Sequence, residues 1–280
     1  MSTVAILGAG PIGASVAQTL ARRARVRDVR LVDTAAGVAA GKALDIRQAG
    51  PVDGYDTRVS GEGDVLAATG AGVIVIADSS AEGEWEGDRG LALVRQLMAA
   101  GASAPLVFVG PKQTWLMEAV ARELGVPADR IVGTAAAALT GAVRGLGALE
   151  ADGSGADVSL AVAGRPPAFV IAWSSATIGG ALVTDRVPAH RLAAISHQVK
   201  ALWPTSPYAI AAATAPVVEG LLAGTRTHVP GVTIVDREWD VRNRAALLPL
   251  TLGNGRVLAR HVPSFSGQER VEFLNSLSKS

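Results

Sequence analysis

The chain has 280 residues, 49% of them hydrophobic and 18% charged, with a formal net charge of +1. That balance supports a buried core in one large or two modest domains. It removes the electrostatic case for nucleic acid or an anionic membrane surface as partner. The absence of cysteine excludes disulfides, thiol nucleophiles and cysteine-ligated metals, and a cytoplasmic setting is the expectation.

The first half alternates strand-like and helix-like segments. Residues 4–7 are an apolar run ending in glycines, so no N-terminal signal is expected, and no apolar stretch reaches membrane-span length. A helix follows over 15–23, a strand over 29–32 stopped at Asp33, and a helix over 39–48. Residues 56–60 read as an edge strand. Buried strands at 73–76 and 106–109 flank a helix over 89–100. A further helix over 114–124 is stopped by Gly125, and 130–133 is a sixth short strand. Continuous Val/Ile runs alternating with helices predict a doubly wound parallel sheet, a Rossmann-type α/β domain over residues 1–142.

After about Ala142 the pattern changes. Strands are expected at 157–164, 169–173, 232–235 and 248–252, and helices at 191–202 and 211–222. Ser266-Gly267-Gln268-Glu269 is a capping box opening a last helix through Leu277. This grouping predicts an α+β second domain over residues 143–280.

The chemistry begins at Gly8-Ala9-Gly10-Pro11-Ile12-Gly13, a G-x-G-x-x-G directly after a strand and opening a helix. Gly8 permits the tight turn, Gly10 the approach of a pyrophosphate, and Gly13 close helix–strand packing. The N–H groups of Pro11's successors, beginning at Ile12, then face the phosphates. Asp33 ends the second strand 20 residues after Gly13, where a carboxylate accepts both ribose hydroxyls and disfavours a 2′-phosphate. The blander role for Asp33 is a turn cap. With Ala77 beyond the fourth strand, these residues predict an NAD site.

Several stretches together resemble the lactate/malate dehydrogenase family, its lactate-dehydrogenase-like malate dehydrogenases most of all. They are Leu31-Val32-Asp33, Gly41-Lys42-Ala43-Leu44-Asp45-Ile46, and the turn-like Ala49-Gly50-Pro51-Val52. Arg130-Ile131-Val132-Gly133 is similar to the family's R-V-I-G, and Glu238-Trp239 stands where it has G-E-Y-G. Leu252-Gly253-Asn254-Gly255 resembles its L-G-x-x-G turn, and residues 211–222 its long helix over the substrate pocket. The resemblance implies a Rossmann domain joined to a substrate domain, NAD as cofactor, and a homodimer or tetramer.

It also implies a reaction whose residues this chain lacks. The family moves a proton with a His in G-x-H-G-D; here Ala163-Gly164-Arg165-Pro166-Pro167 puts Pro166 at that position. Its Asp and Arg lie in L-D-x-x-R; here Leu139 and Ala142 take their places, and Arg144 is two places too far. The loop after the fourth strand normally carries arginines. Here, from Asp78 to Asp88, it is acidic and reads as shortened, so it would repel a dicarboxylate. Gly110-Pro111 replaces Asn-Pro. Loss of the His and Asp alone removes several orders of magnitude in rate, since positioned acid–base groups contribute roughly 10²–10⁴-fold.

No substitute is evident. His190 and His197 share a helix at a spacing too long for a metal pair, and His228 and His261 lie in no acid–base motif. Asp78 is the best-placed alternative acid, with a plain loop carboxylate as the simpler reading. Trp85 reads as a lid or partner contact, or simply as an anchor for its loop, and Lys42 with Asp45 as a helix-surface pair. Three readings remain open: an NAD(H)-binding pseudoenzyme acting as a regulatory or partner subunit, an active NAD-dependent oxidoreductase on an atypical substrate, and an interaction module that has lost NAD.

Overall fold

The computed structural model describes residues 2–278. The chain begins β1 (Thr3–Leu7), α1 (Pro11–Arg23), β2 (Asp28–Val32), α2 (Ala36–Asp53), β3 (Arg58–Glu62) and β4 (Val73–Ile76). A small hairpin follows, β5 (Asp78–Ser79) and β6 (Gly83–Glu84). Then come α3 (Gly87–Ala99), β7 (Leu106–Phe108), α4 (Thr114–Glu123), β8 (Ile131–Gly133) and α5 (Ala137–Glu150). Short strands β9 (Val158–Ser159), β10 (Val162–Ala163), β11 (Val170–Ile171), β12 (Thr177–Ile178) and β13 (Ala181–Leu182) lead to α6 (Ala189–Ala201) and α7 (Pro207–Leu222). The chain ends with β14 (Thr227–Val235), β15 (Arg244–Gly253), β16 (Arg256–Arg260) and α8 (Gly267–Ser278).

The six first-half strands run parallel in the order β3-β2-β1-β4-β7-β8. This is the doubly wound order, with the connection reversing between β1 and β4, so a crevice opens at their carboxyl ends. Alternation along each strand feeds two layers. Val4, Ile6, Val73 and Val75 pack with Val16, Leu20 and Val218 on one face. Ala5, Leu7, Ile74 and Ile76 pack with Val94, Leu97 and Leu116 on the other. Burial on both faces explains why these strands read as unbroken apolar runs.

The sheet does not stop at the first half. Antiparallel β14, β15 and β16 continue it past β8 through Val232 opposite Gly133, giving nine strands. The boundary expected at residue 142 falls inside α5.

Several expectations are corrected. Residues 157–164 are not one strand: β9 pairs with β12 and β10 with β11, in separate small sheets. The break falls at Leu160-Ala161, where alternation lapses, and Ala161 O instead receives the amide of Ala172. Residues 49–52 are not a turn, since α2 runs through Pro51 to Asp53 and closes at Gly54 in the left-handed region. β14 and β15 each extend several residues beyond the expected strands because they pair with one another along their full length. The edge strand lies at 58–62, two residues later than expected, in register with β2. Gly125 has φ +64° after α4, as a helix stop requires. Ser266 and Glu269 form a reciprocal capping box, Ser266 N–H donating to Glu269 Oε2 at 2.7 Å and Glu269 N–H to Ser266 Oγ at 3.3 Å.

Candidate functional site

The glycine loop lies between β1 and α1 at the sheet's crevice. Gly8 has φ +114°, which only glycine adopts readily, and a Cβ on Gly13 would fall 2.0 Å from Gly8 O. Both glycines are therefore required by the local backbone.

Asp33 is buried at 2% exposure at the end of β2. Its Oδ2 accepts from Ala9 N–H at 2.7 Å and Ser80 N–H at 2.8 Å. Its Oδ1 accepts from Ala35 N–H and Ser80 O–H, each at 3.0 Å. Burial pushes this carboxyl upward, and the donated bonds from Ala9, Ala35 and Ser80 outweigh it, so its pKa ends below the ordinary value. The turn-cap role is thus present through Ala35, and the carboxylate is also held against the glycine loop.

The Asp78 carboxylate accepts from Ile12 N–H at 3.1 Å and Gly13 N–H at 2.8 Å, while Asp78 O receives Gly10 N–H at 2.8 Å. It caps α1, whose N-cap residue Gly10 has no side chain to do so. A Cβ on Gly10 would lie 2.4 Å from this carboxylate. Lys42 Nζ donates to Ala9 O, so its place is on the loop rather than in a surface pair with Asp45.

The hairpin carrying Asp78 and Ser80 is tied down behind them. Trp85 is 8% exposed with the Arg89 guanidinium 4.6 Å from its ring centre, and Arg89 also pairs with Glu82. Gln113 Nε2 donates to Ala77 O and Trp85 O at 3.0 and 3.1 Å. Trp85 thus anchors its own loop, and Ala77 is fully buried beneath it. Burial raises the Glu84 carboxyl pKa, against the opposing Lys112 amide bond.

The residues expected at the family's reaction positions do not meet in one site. Pro166 converges with Gly110 and Pro111 on a void of about 10 Å³, closed further by Phe108, Met117 and Trp203. No titratable side chain lines it, and its hydroxyls are those of Thr114 and Thr134. The Thr134 hydroxyl is already bonded to that of Thr214 at 2.7 Å. Leu139 is fully buried in the core, whereas Ala142 lines a separate cavity of about 830 Å³ between α5 and α7.

The nearby arginines are committed elsewhere. Arg144 donates to Gly155 O and Ala156 O at 3.0 and 3.3 Å. Arg165, beside Pro166, reaches away to buried Glu118, its Nε and Nη2 donating at 3.2 and 3.3 Å. His190 and His197 lie on α6, and the rings of His228 and His261 both bond Thr251 Oγ1 on the outer strands. Among the described residues no group of three or more metal-ligating side chains occurs, and no helix is long and apolar enough to cross a membrane.

The glycine cradle and the placement of Asp33 are of a kind that fits a dinucleotide: the first presents N–H groups at a helix start, here bonded to Asp78, and the second a carboxylate at the end of β2, here bonded to Ser80. Sequence reading singled out both. It missed that Asp78 and Ser80 reach them, because that contact joins residues more than forty positions apart and depends on a hairpin with no turn signature.

Residues 2–95 match the NAD binding domain of lactate/malate dehydrogenase. The malate dehydrogenase of Thermomicrobium roseum is 30% identical over 272 residues, covering 91% of this chain and 88% of its own length. That of Salinibacter ruber is likewise 30% identical, over 91% and 87%. The solved structure of the Salinibacter ruber enzyme superposes with a TM-score of 0.87 at 26% identity, covering 98% of this chain and 93% of that one.

Proposed function

Because the chain belongs to the lactate/malate dehydrogenase family, we propose that it is an NAD(H)-binding member that does not oxidise 2-hydroxy acids. The glycine loop from Gly8 to Gly13, with Asp33 and Ala77, would hold the dinucleotide. NAD supplies a hydride acceptor when bound. What this chain would have to add is a proton acceptor and a cation for the substrate carboxylate.

The observation that carries the reading is the closed void at Pro166. Two of the expected reaction positions, Pro166 and Gly110, line it, the space is about 10 Å³, and no side chain there can take a proton. Ligand sites for small molecules span hundreds of Å³. The family's Asp and Arg positions add nothing: Leu139 points into the core and Ala142 into another cavity. We place the protein in the cytoplasm as a pseudoenzyme acting through a partner or its own homo-oligomer.

The test pairs NADH titration by calorimetry with steady-state assays of malate and lactate oxidation. Binding without turnover is the expected result. Turnover with either substrate above the enzyme-free rate would overturn the proposal.

A further inference from the structure

The groups that would receive the dinucleotide are engaged by the chain's own β5–β6 hairpin. Asp78 places an anionic carboxylate on the Ile12 and Gly13 N–H groups, 3.1 and 2.8 Å away. Those donors at the start of α1 are where a pyrophosphate would bind. Ser80 places a hydroxyl and an amide on Asp33, 3.0 and 2.8 Å away, as a ribose would place its hydroxyls. One short segment thus presents an anion and a hydroxyl to the anion seat and the hydroxyl seat together.

We propose that this hairpin is an autoinhibitory latch, which mimics the phosphate and ribose of NAD(H) and must swing out before the dinucleotide binds. The inference rests on the NAD(H)-binding reading above. It is more than a helix cap, since a cap at α1 would not require a second residue to saturate Asp33.

Two glycines lie in the hairpin and just beyond it. Gly83 and Gly87, at φ +74° and +57°, have open space where a Cβ would be, so neither is needed for packing. They fit the role of pivots in the segment and at its exit. The closed state leaves the Trp85 indole N–H buried without a partner, a group that opening would return to water. Arg89 holds the closed form through Glu82 and the Trp85 ring. Charge adds to the competition. A pyrophosphate and the Asp78 carboxylate cannot share the same N–H groups, and each repels the other.

A latched protein binds with its intrinsic affinity reduced by the fraction that is open. Calorimetric NADH titration of the full chain tests this with two variants, Asp78→Ala and Ser80→Ala. The second leaves the α1 cap intact, so it answers even if the first folds poorly. Each is expected to bind NADH at least about ten-fold more tightly than the parent. Parent affinity equal to that of Ser80→Ala would overturn the latch while leaving the NAD(H) reading intact. No binding by any form would overturn both.

Hydrogen exchange gives a readout independent of affinity. On saturation with NADH the Ser80 amide should exchange faster while those of Ile12 and Gly13 stay protected. Unchanged or slower exchange at Ser80 would mean that the hairpin does not leave.

Discussion

Glu118 shows how a single buried charge can absorb residues that would otherwise suggest chemistry. It is 5% exposed and receives Arg165, the Ala245 amide at 2.9 Å, and Arg244 at 3.7 Å. Arg165 lies beside Pro166, and its guanidinium is spent on packing two halves of the chain together. Removing one partner of such a cluster leaves the others buried and unpaired. Glu118→Ala should therefore cost about 3–5 kcal/mol by urea denaturation. A loss under about 1 kcal/mol would show that water repairs the cluster. Asp33 makes a pH-dependent contribution of definite sign. Its folded pKa lies below the ordinary carboxylate value, so its stabilisation is complete above about pH 4 and fades as pH falls through the depressed value. Asp33→Asn should flatten that acid limb, measured as Tm from pH 3 to 7. An unchanged limb would assign it to other carboxylates.

At the scale of elements, the hairpin and its supports behave as one lever. Glu84 lies in the hairpin, with burial raising its pKa and the Lys112 amide opposing. A raised carboxyl stabilises fully below the ordinary value and loses that contribution as pH rises through the folded pKa. Glu84→Gln should therefore raise Tm at pH 7 and lose that advantage near pH 4. A variant less stable than the parent at pH 7 would reverse the sign. Arg89→Ala, which frees Glu82 and the Trp85 ring, should speed exchange at the Ser80 amide at least several-fold with no ligand present. No change would mean that Arg89 does not hold the hairpin. Legibility differs between these elements for physical reasons. The strands of the parallel sheet and the capping box at Ser266 could be read because local periodicity and local hydrogen bonds create them. The division of 157–164 into β9 and β10, and the return of 78–84 onto the glycine loop, depend on partners far along the chain. So does the path of α2 through Pro51, which local turn chemistry argues against.

For the whole molecule, the proposed pseudoenzyme reading rests on a closed space around Pro166. Pro166 sits against Trp203, Met117 and Phe108 with almost no free space. Putting the chemistry back by side-chain substitution alone should then fail. The triple variant Leu139→Asp, Ala142→Arg, Pro166→His is expected to show no malate or lactate oxidation, because Leu139 is fully buried and Ala142 faces a different cavity. Turnover by the triple variant would mean that the cavity reopens readily and that only the side chains were lost. The assignment of these positions is an expectation drawn from neighbouring motifs in the sequence. The closure of the space between them was not legible there, because it depends on Trp203 and Met117, which no motif marks.

The nine-stranded sheet carries a consequence for how the protein is made. β8 is the last strand of the parallel set, and its outer edge is covered only when Val232 of β14 arrives opposite Gly133. A ribosome delivers the N-terminal half first, so for the time needed to synthesise α5 through α7 that edge is exposed, apolar and able to pair with another chain. Release at this stage, whether by a premature stop codon or a cut within α5, would yield a fragment that associates through β8, and the nascent chain would depend on chaperones most at that point.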